Sequence, residues 1–188
     1  NFKFVKNVPE VQPVKAVSTL RKSLGLPEDK LLFVYCGLLG KTRGTFHLVE
    51  VFKSLSTDYH LVLIGFGAEK ELLIEISKNV LNVHFHDPVP QCDLVTLISG
   101  ADVGICVIDT KALSYKYALP NKVFEYAAAE LGIIVGEGPE MDRFAHQYPL
   151  ARMTRLTVQG LRECVSSWTK TELANSKNLF SSFEGPSW

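Results

Sequence analysis

Leu31-Leu-Phe-Val-Tyr-Cys-Gly37-Leu-Leu-Gly40-Lys-Thr-Arg-Gly44 opens with six uncharged, mostly apolar residues and closes on a basic loop punctuated by glycines. Such a run, bounded by Asp29-Lys30 and Gly37, suits a strand covered on both faces in a parallel sheet. Beyond Gly44, the residues Phe46, Val49, Phe52 and Leu55 recur at helical spacing. The reading is therefore strand, glycine-rich loop, helix.

The unit repeats downstream. Residues 61–64 read as a strand, Gly65-Phe-Gly67 as a loop, and 69–78 as a helix carrying Leu72, Leu73 and Ile76. Val83-His-Phe85 is a short strand, 92–99 a helix carrying Leu94, Val95 and Ile98, and 103–108 another buried strand. After a polar loop over 109–119 a helix starts at Pro120, whose missing N–H costs nothing in a first turn. Its apolar face is expected to hold Val123, Phe124, Ala127, Ala128 and Leu131, with Lys122, Glu125 and Ala129 on an exposed ridge opposite. Gly132 is expected to end it before a strand from Ile133 to Val135, leaving a free helix start that attracts anions. A short helix over 141–146 and a closing helix over 157–179, with Leu161, Cys164, Val165 and Trp168 at helical spacing, complete the pattern.

Upstream, Phe2-Lys-Phe-Val5 reads as a short strand stopped by Asn7-Val-Pro9, and 14–24 as a helix ending at Gly25. Residues 1–28 are thus a linker and helix, and 157–188 a closing helix and tail. Alternating strand and helix give one α/β domain, a doubly wound, Rossmann-like parallel sheet with ligands at the carboxyl ends of its strands.

Composition narrows the function classes. The 188 residues are 46% hydrophobic, enough for one sizeable core, and 20 basic against 20 acidic residues leave no electrostatic footprint for nucleic acid. The longest apolar run, broken by glycine, is far short of the roughly 20 residues that span a bilayer. Cys36, Cys92, Cys106 and Cys164 form no Cys-x-x-Cys pair, which points to reduced thiols and a cytoplasmic setting. The chain opens on Asn1, so a leader or a whole preceding domain is compatible with it.

Two loops at the carboxyl edge hold the candidate chemistry. In 37–44, Gly37 and Gly40 let backbone N–H groups approach a phosphate, and Lys41 and Arg43 add positive charge, without a Walker or Gly-x-Gly-x-x-Gly pattern. The same loop also reads as tight-turn glycines with solvated cations. In the second, Lys122 follows the helix start and Glu125 is placed to accept hydrogen bonds from vicinal hydroxyls such as a ribose, or to pair with Lys122. His84 and His86 share a strand face, but no third ligand joins them, so no metal is expected.

Asn7-Val-Pro9, Tyr35-Cys-Gly37 with Arg43-Gly44, Ile64-Gly-Phe-Gly67, Ala101-Asp-Val103 and above all Leu119-Pro-Asn-Lys-Val-Phe-Glu-Tyr-Ala-Ala-Ala129 resemble the carboxy-terminal half of a family 4 glycosyltransferase over most of the chain. The resemblance implies the donor-binding half of a GT-B enzyme, with the N-terminal acceptor domain outside this chain. It also implies hexosyl-type transfer from a nucleotide-sugar with retention, no cofactor and no metal. The acceptor would be a glycan or lipid-linked molecule, and the full-length protein cytoplasmic or peripheral on the inner membrane face. The family's Glu, seven residues, Glu pair places its second member at Glu125, the ribose contact, and its first at Tyr117, where the carboxylate is missing. The phosphate-binding Arg and Lys fall at Leu38 and Arg43, so Arg43 carries phosphate binding, with Lys41 or Lys122 compensating.

By the same resemblance the base lies near His86, Asp102 is structural, and Trp168, Phe180 and Phe183 are core or cleft-crossing residues. Arg43, Lys122 and Glu125 are the catalytic candidates; Gly37, Gly40, Lys41, His86, Tyr117 and Asn121 are the substrate-binding ones. The departures at Tyr117 and Leu38 suit a capsule- or surface-polysaccharide-type transferase. A sugar-nucleotide 2-epimerase shares the two-domain architecture and is the rival enzyme class, and Tyr117 and Leu38 also leave open a module that has kept the fold without turnover.

Overall fold

The structure, a computed structural model, describes residues 18–176. The expected strand at 2–5, the Asn7-Val-Pro9 stop, Phe180, Phe183 and the tail lie outside these residues, as does the first part of the 14–24 helix. Of that helix the described part is α1, Leu20–Ser23.

Six strands form one parallel sheet in the order β3-β2-β1-β4-β5-β6. They are β1 (Leu31–Leu38), β2 (Tyr59–Phe66), β3 (Val83–His86), β4 (Val103–Cys106), β5 (Gly132–Val135) and β6 (Ala151–Met153). This is the doubly wound order: right-handed crossovers run outward in opposite directions from β1 and β4, so helices cover both faces. The connecting helices are α2 (Thr45–Lys53), α3 (Lys70–Ile76), α4 (Gln91–Ile98), α5 (Leu113–Lys116), α6 (Asn121–Ala128) and α7 (Pro139–Gln147). Two more, α8 (Val158–Ser166) and α9 (Lys170–Asn175), follow β6. Helix α2 packs on α8, and α4 on α6.

The apolar run that begins at Leu31 is buried through Cys36, and Phe33 meets Phe52 of α2 edge to face at 5.4 Å. A fully buried side chain of this size contributes about 2 kcal/mol. Among the described residues no helix is long and apolar enough to cross a membrane.

Three local expectations are corrected. Gly132 does not end α6 but starts β5; the left-handed residue behind the helix is Glu130, at φ 56°. Gly132 is needed for packing, since a Cβ there would lie 2.6 Å from the Trp168 ring. The closing helix is two helices, α8 and α9. Trp168 turns inward to 1% exposure and the Thr169 side chain accepts the Glu172 N–H, capping a new helix where the old one was expected to continue. The edge strand β6 went unread because Ala-Arg-Met is short and only half-buried.

At the amino edge of the sheet Asp102 locks the fold, as its expected structural role requires. Its Oδ2 accepts the Leu32 N–H at 2.7 Å, Lys170 Nζ donates to its two oxygens at 2.8 and 2.9 Å, and the Arg21 guanidinium bonds it as well. Arg21 in turn donates to the Lys30 carbonyl at 3.0 Å, tying α1 to the start of β1.

Candidate functional site

Strands β1 and β4 lie side by side at the point where the strand order reverses, and their register covers only Phe33 with Val103 and Val34 with Gly104. Beyond it the strands part, and Tyr126 of α6 fills the gap. Its hydroxyl accepts the Cys36 N–H at 3.0 Å and donates to the Ile105 carbonyl at 3.2 Å, satisfying backbone groups that the ladder no longer pairs. A Cβ on Gly104 would stand 2.3 Å from the Tyr126 ring, so the ring lies directly against β4. This anchor fixes the first turn of α6 over the crevice where open α/β sheets bind ligands.

The two loops singled out in the sequence meet here. The chain leaves β1 through a single 3-10 turn, Lys41–Arg43, whose Gly40 carbonyl accepts the Arg43 N–H at 3.0 Å. The Asp109 N–H of the loop after β4 donates to the Thr42 carbonyl at 2.9 Å. The Arg43 guanidinium lies over the Tyr115 ring of α5, 5.0 Å from its centre, and among the described residues its buried Nε has no hydrogen-bond partner. Lys122 reaches from α6 back across β1. Its Nζ is 5.3 Å from the centre of the Tyr35 ring and passes so close to Gly37, at φ 123°, that a Cβ there would stand 2.6 Å from it. Among the described residues neither cation pairs with a carboxylate, so the alternative of a Lys122–Glu125 ion pair is not realised.

Glu125 departs furthest from expectation. It is not on an exposed ridge: α4 packs over α6, leaving Glu125 6% exposed, and Gln91 Nε2 donates to its Oε1 at 2.8 Å. The buried face of α6 is accordingly wider than expected, holding Val123, Phe124, Glu125, Tyr126 and Ala129, while Ala127 and Ala128 are half-buried. Pro120 precedes the helix as its N-cap instead of lying in its first turn.

The remaining expected residues are looser. Lys41 and Asn121 are exposed at the rim, and Tyr117, 58% exposed, ends α5 with its side chain open to solvent. Leu38 and its register partner Phe66 form an exposed apolar step beside them. His86, at the end of β3, has its Nδ1 2.6 Å from the Asp87 carbonyl and touches none of the three charged residues; its loop reaches the site through Gln91.

His84 does not pair with His86. Its Nε2 lies 3.0 Å from Nδ1 of His60, the rings stack, and His60 Nε2 meets the Thr57 carbonyl at 2.9 Å. Since a carbonyl only accepts, His60 carries its proton on Nε2 and His84 donates to Nδ1. Among the described residues no group of three or more His, Cys, Asp or Glu is placed to hold a metal ion. Burial pushes the Cys36 and Cys106 thiols each up to about 12, so both stay neutral beside the site and act as small hydrophobes.

A cavity of about 900 Å³ opens at the opposite, amino edge, lined by Arg21, Asp102, Glu130 and Lys170 among others. Volume alone does not make it the site, because its Arg21 is already paired with Asp102 and Glu28 and its Lys170 with Asp102. Gln91 and Tyr115, which hold Glu125 and Arg43, were missed in the sequence. A neutral amide after a proline and one tyrosine of a polar loop carry no local signal of what they touch.

Comparison with known proteins settles the family. The family model of glycosyl transferases group 1 matches residues 17–148, most of the chain and the whole of the crevice. This chain belongs to the group 1 glycosyl transferases. A glycosyltransferase assigned to teichuronic acid biosynthesis in Bacillus subtilis, TuaC, is 33% identical over 156 residues, 82% of this chain and 37% of that protein. Among solved structures, sucrose-phosphate synthase from Thermosynechococcus elongatus superposes with a TM-score of 0.68 at 16% identity, covering 94% of this chain and 47% of that one. Anabaena HepE in complex with UDP and glucose gives 0.67 at 14% identity, covering 88% and 47%. The chain therefore spans less than half the length of these relatives, and at such identities the two structures establish the fold.

Proposed function

We propose that this group 1 glycosyl transferase chain is a donor-binding domain, which holds a nucleotide-sugar for transfer of its sugar to a glycan or lipid-linked acceptor seated on a preceding domain. The observation that carries this is the pair Arg43 and Lys122: one cation on the turn after β1 and one on the first turn of α6, each on an aromatic ring, aimed at one crevice and, among the described residues, paired with no carboxylate. In this reading the diphosphate lies between them, against the Gly37 and Gly40 backbone and the Asn121 start of α6, with Lys41 at the rim. The ribose meets Glu125 and the base lies near His86. As the anomeric bond breaks, negative charge grows on the leaving diphosphate, and fixed cations with a helix N-terminus stabilise it electrostatically. These groups supply the positive charge that a metal supplies in other transferases, and the family supports retention at the anomeric carbon.

A relative assigned to teichuronic acid biosynthesis favours a surface-polysaccharide acceptor, and a neighbour bound to UDP and glucose makes UDP the first probe. Thermal unfolding of the 188-residue chain with UDP, GDP, ADP and CMP tests the reading, because a ligand of the folded state raises Tm. One nucleotide is expected to raise it. A flat response to all four would favour a module without nucleotide chemistry.

A further inference from the structure

Glu125 is a carboxylate more than nine-tenths buried, and an ionised carboxylate in such a place requires hydrogen-bond donors. Among the described residues it has a single side-chain donor, Gln91 Nε2 on Oε1, and no ion pair; its Oε2 accepts no hydrogen bond. Gln91 itself is exposed and is the first residue of α4, directly behind Pro90, whose ring fixes the approach at φ −52°. The His86 to Pro90 loop that leads into it leaves β3 with a second proline at Pro88.

We infer that Gln91 is a positioning residue for ribose recognition: it holds one oxygen of the Glu125 carboxylate so that the other faces the sugar hydroxyls of the bound nucleotide. The inference rests on the assignment of Glu125 to the ribose. A carboxylate already locked in one rotamer loses less freedom when a hydroxyl binds it. The loop thereby links base and ribose recognition through one rigid segment. The titratable groups facing Glu125 are the Cys36 thiol of β1 and the Cys106 thiol of β4, both neutral to about 12, and Lys122 lies one turn earlier on α6.

Calorimetry of the 188-residue chain with UDP and with its 2′,3′-dideoxy analogue tests this. Wild type is expected to prefer UDP, Glu125→Ala to abolish the preference, and Gln91→Ala to reduce it about tenfold at an unchanged Tm. Gln91→Glu sets two carboxylates side by side where Gln91 Nε2 now stands 2.8 Å from Oε1, and is expected to lose more at neutral pH and to recover as the pH is lowered, which a merely structural role would not produce. An unchanged preference in Gln91→Ala, or tighter binding as the ribose displaces a plug, would overturn the inference while leaving Glu125 in place. An unchanged preference in Glu125→Ala would remove the ribose assignment itself, and the role of Gln91 with it.

Discussion

At the amino edge of the sheet Asp102, its side chain 15% exposed, takes hydrogen bonds from Arg21, Lys170 and the Leu32 N–H, and Arg21 also faces Glu28 at 3.6 Å, so two cations meet two carboxylates within the protein. At the carboxyl edge Arg43 and Lys122 lie on tyrosine rings and, among the described residues, form no ion pair, and Glu125 is buried under an amide. The same residue types thus do different work at the two ends of one set of strands. Charges satisfied by each other hold α1, β1, β4 and α9 together; charges left without a counter-charge are available to an anion. The comparison also explains why the cavity at the amino edge, whose cations are already paired, is not the proposed site.

The comparison breaks most visibly at Asp102. Asp102→Ala leaves Arg21, a guanidinium only 10% exposed, with only the exposed Glu28 at 3.6 Å, and is expected to cost about 3 kcal/mol of stability. Thermal unfolding should register this as a large fall in Tm, and nucleotide affinity at low temperature should stay within about twofold. A loss of binding at intact Tm would place function at the wrong edge.

Acid is the next test. Burial first, and His60 second, hold His84 down to about 4, and burial lowers His60 too, while Lys30 and Arg21 add to that and Asp58 opposes it. The unfolded chain takes up protons near pH 6.5 whereas the folded pair resists them, so stability is complete above pH 6.5 and falls as pH drops from there toward 4. Denaturant unfolding at pH 7 and 4.5 should differ by about 2 kcal/mol from this pair, partly exposed as it is, and His84→Leu should flatten that part of the curve.

Smaller effects belong to the carboxyl edge. Lys122→Ala is expected to weaken nucleotide binding about tenfold, or about 1.4 kcal/mol, at an unchanged Tm, checked by calorimetry. Leu38→Arg, which puts a cation back where the family carries one, is expected to tighten diphosphate binding a few-fold, since an exposed charge in high dielectric gains little. No change would mean that Lys122 already serves that position.

The sheet was legible because its signal is local: the run from Leu31 to Cys36 is buried on both faces wherever it goes, and glycine loops between apolar segments mark each crossover. The shared loops of the site were legible as well, since carboxyl-end loops converge in any doubly wound sheet. What could not be read depends on partners distant in sequence. Glu125 is buried because α4 packs over it, Trp168 breaks a helix because Gly132 makes room for its ring, and His84 turns to His60 across the neighbouring strand rather than to His86. No window of helical or strand periodicity contains both members of such a pair.

Arg43→Ala tests the central claim most directly. Its guanidinium touches Tyr115 and no acid, so thermal unfolding and UDP calorimetry on the same preparation separate a structural ion from a ligand-binding one. The account predicts a Tm within about 2 °C of wild type and at least about tenfold weaker UDP binding. Wild-type affinity in the variant, or a collapse of Tm like that of Asp102→Ala, would contradict it.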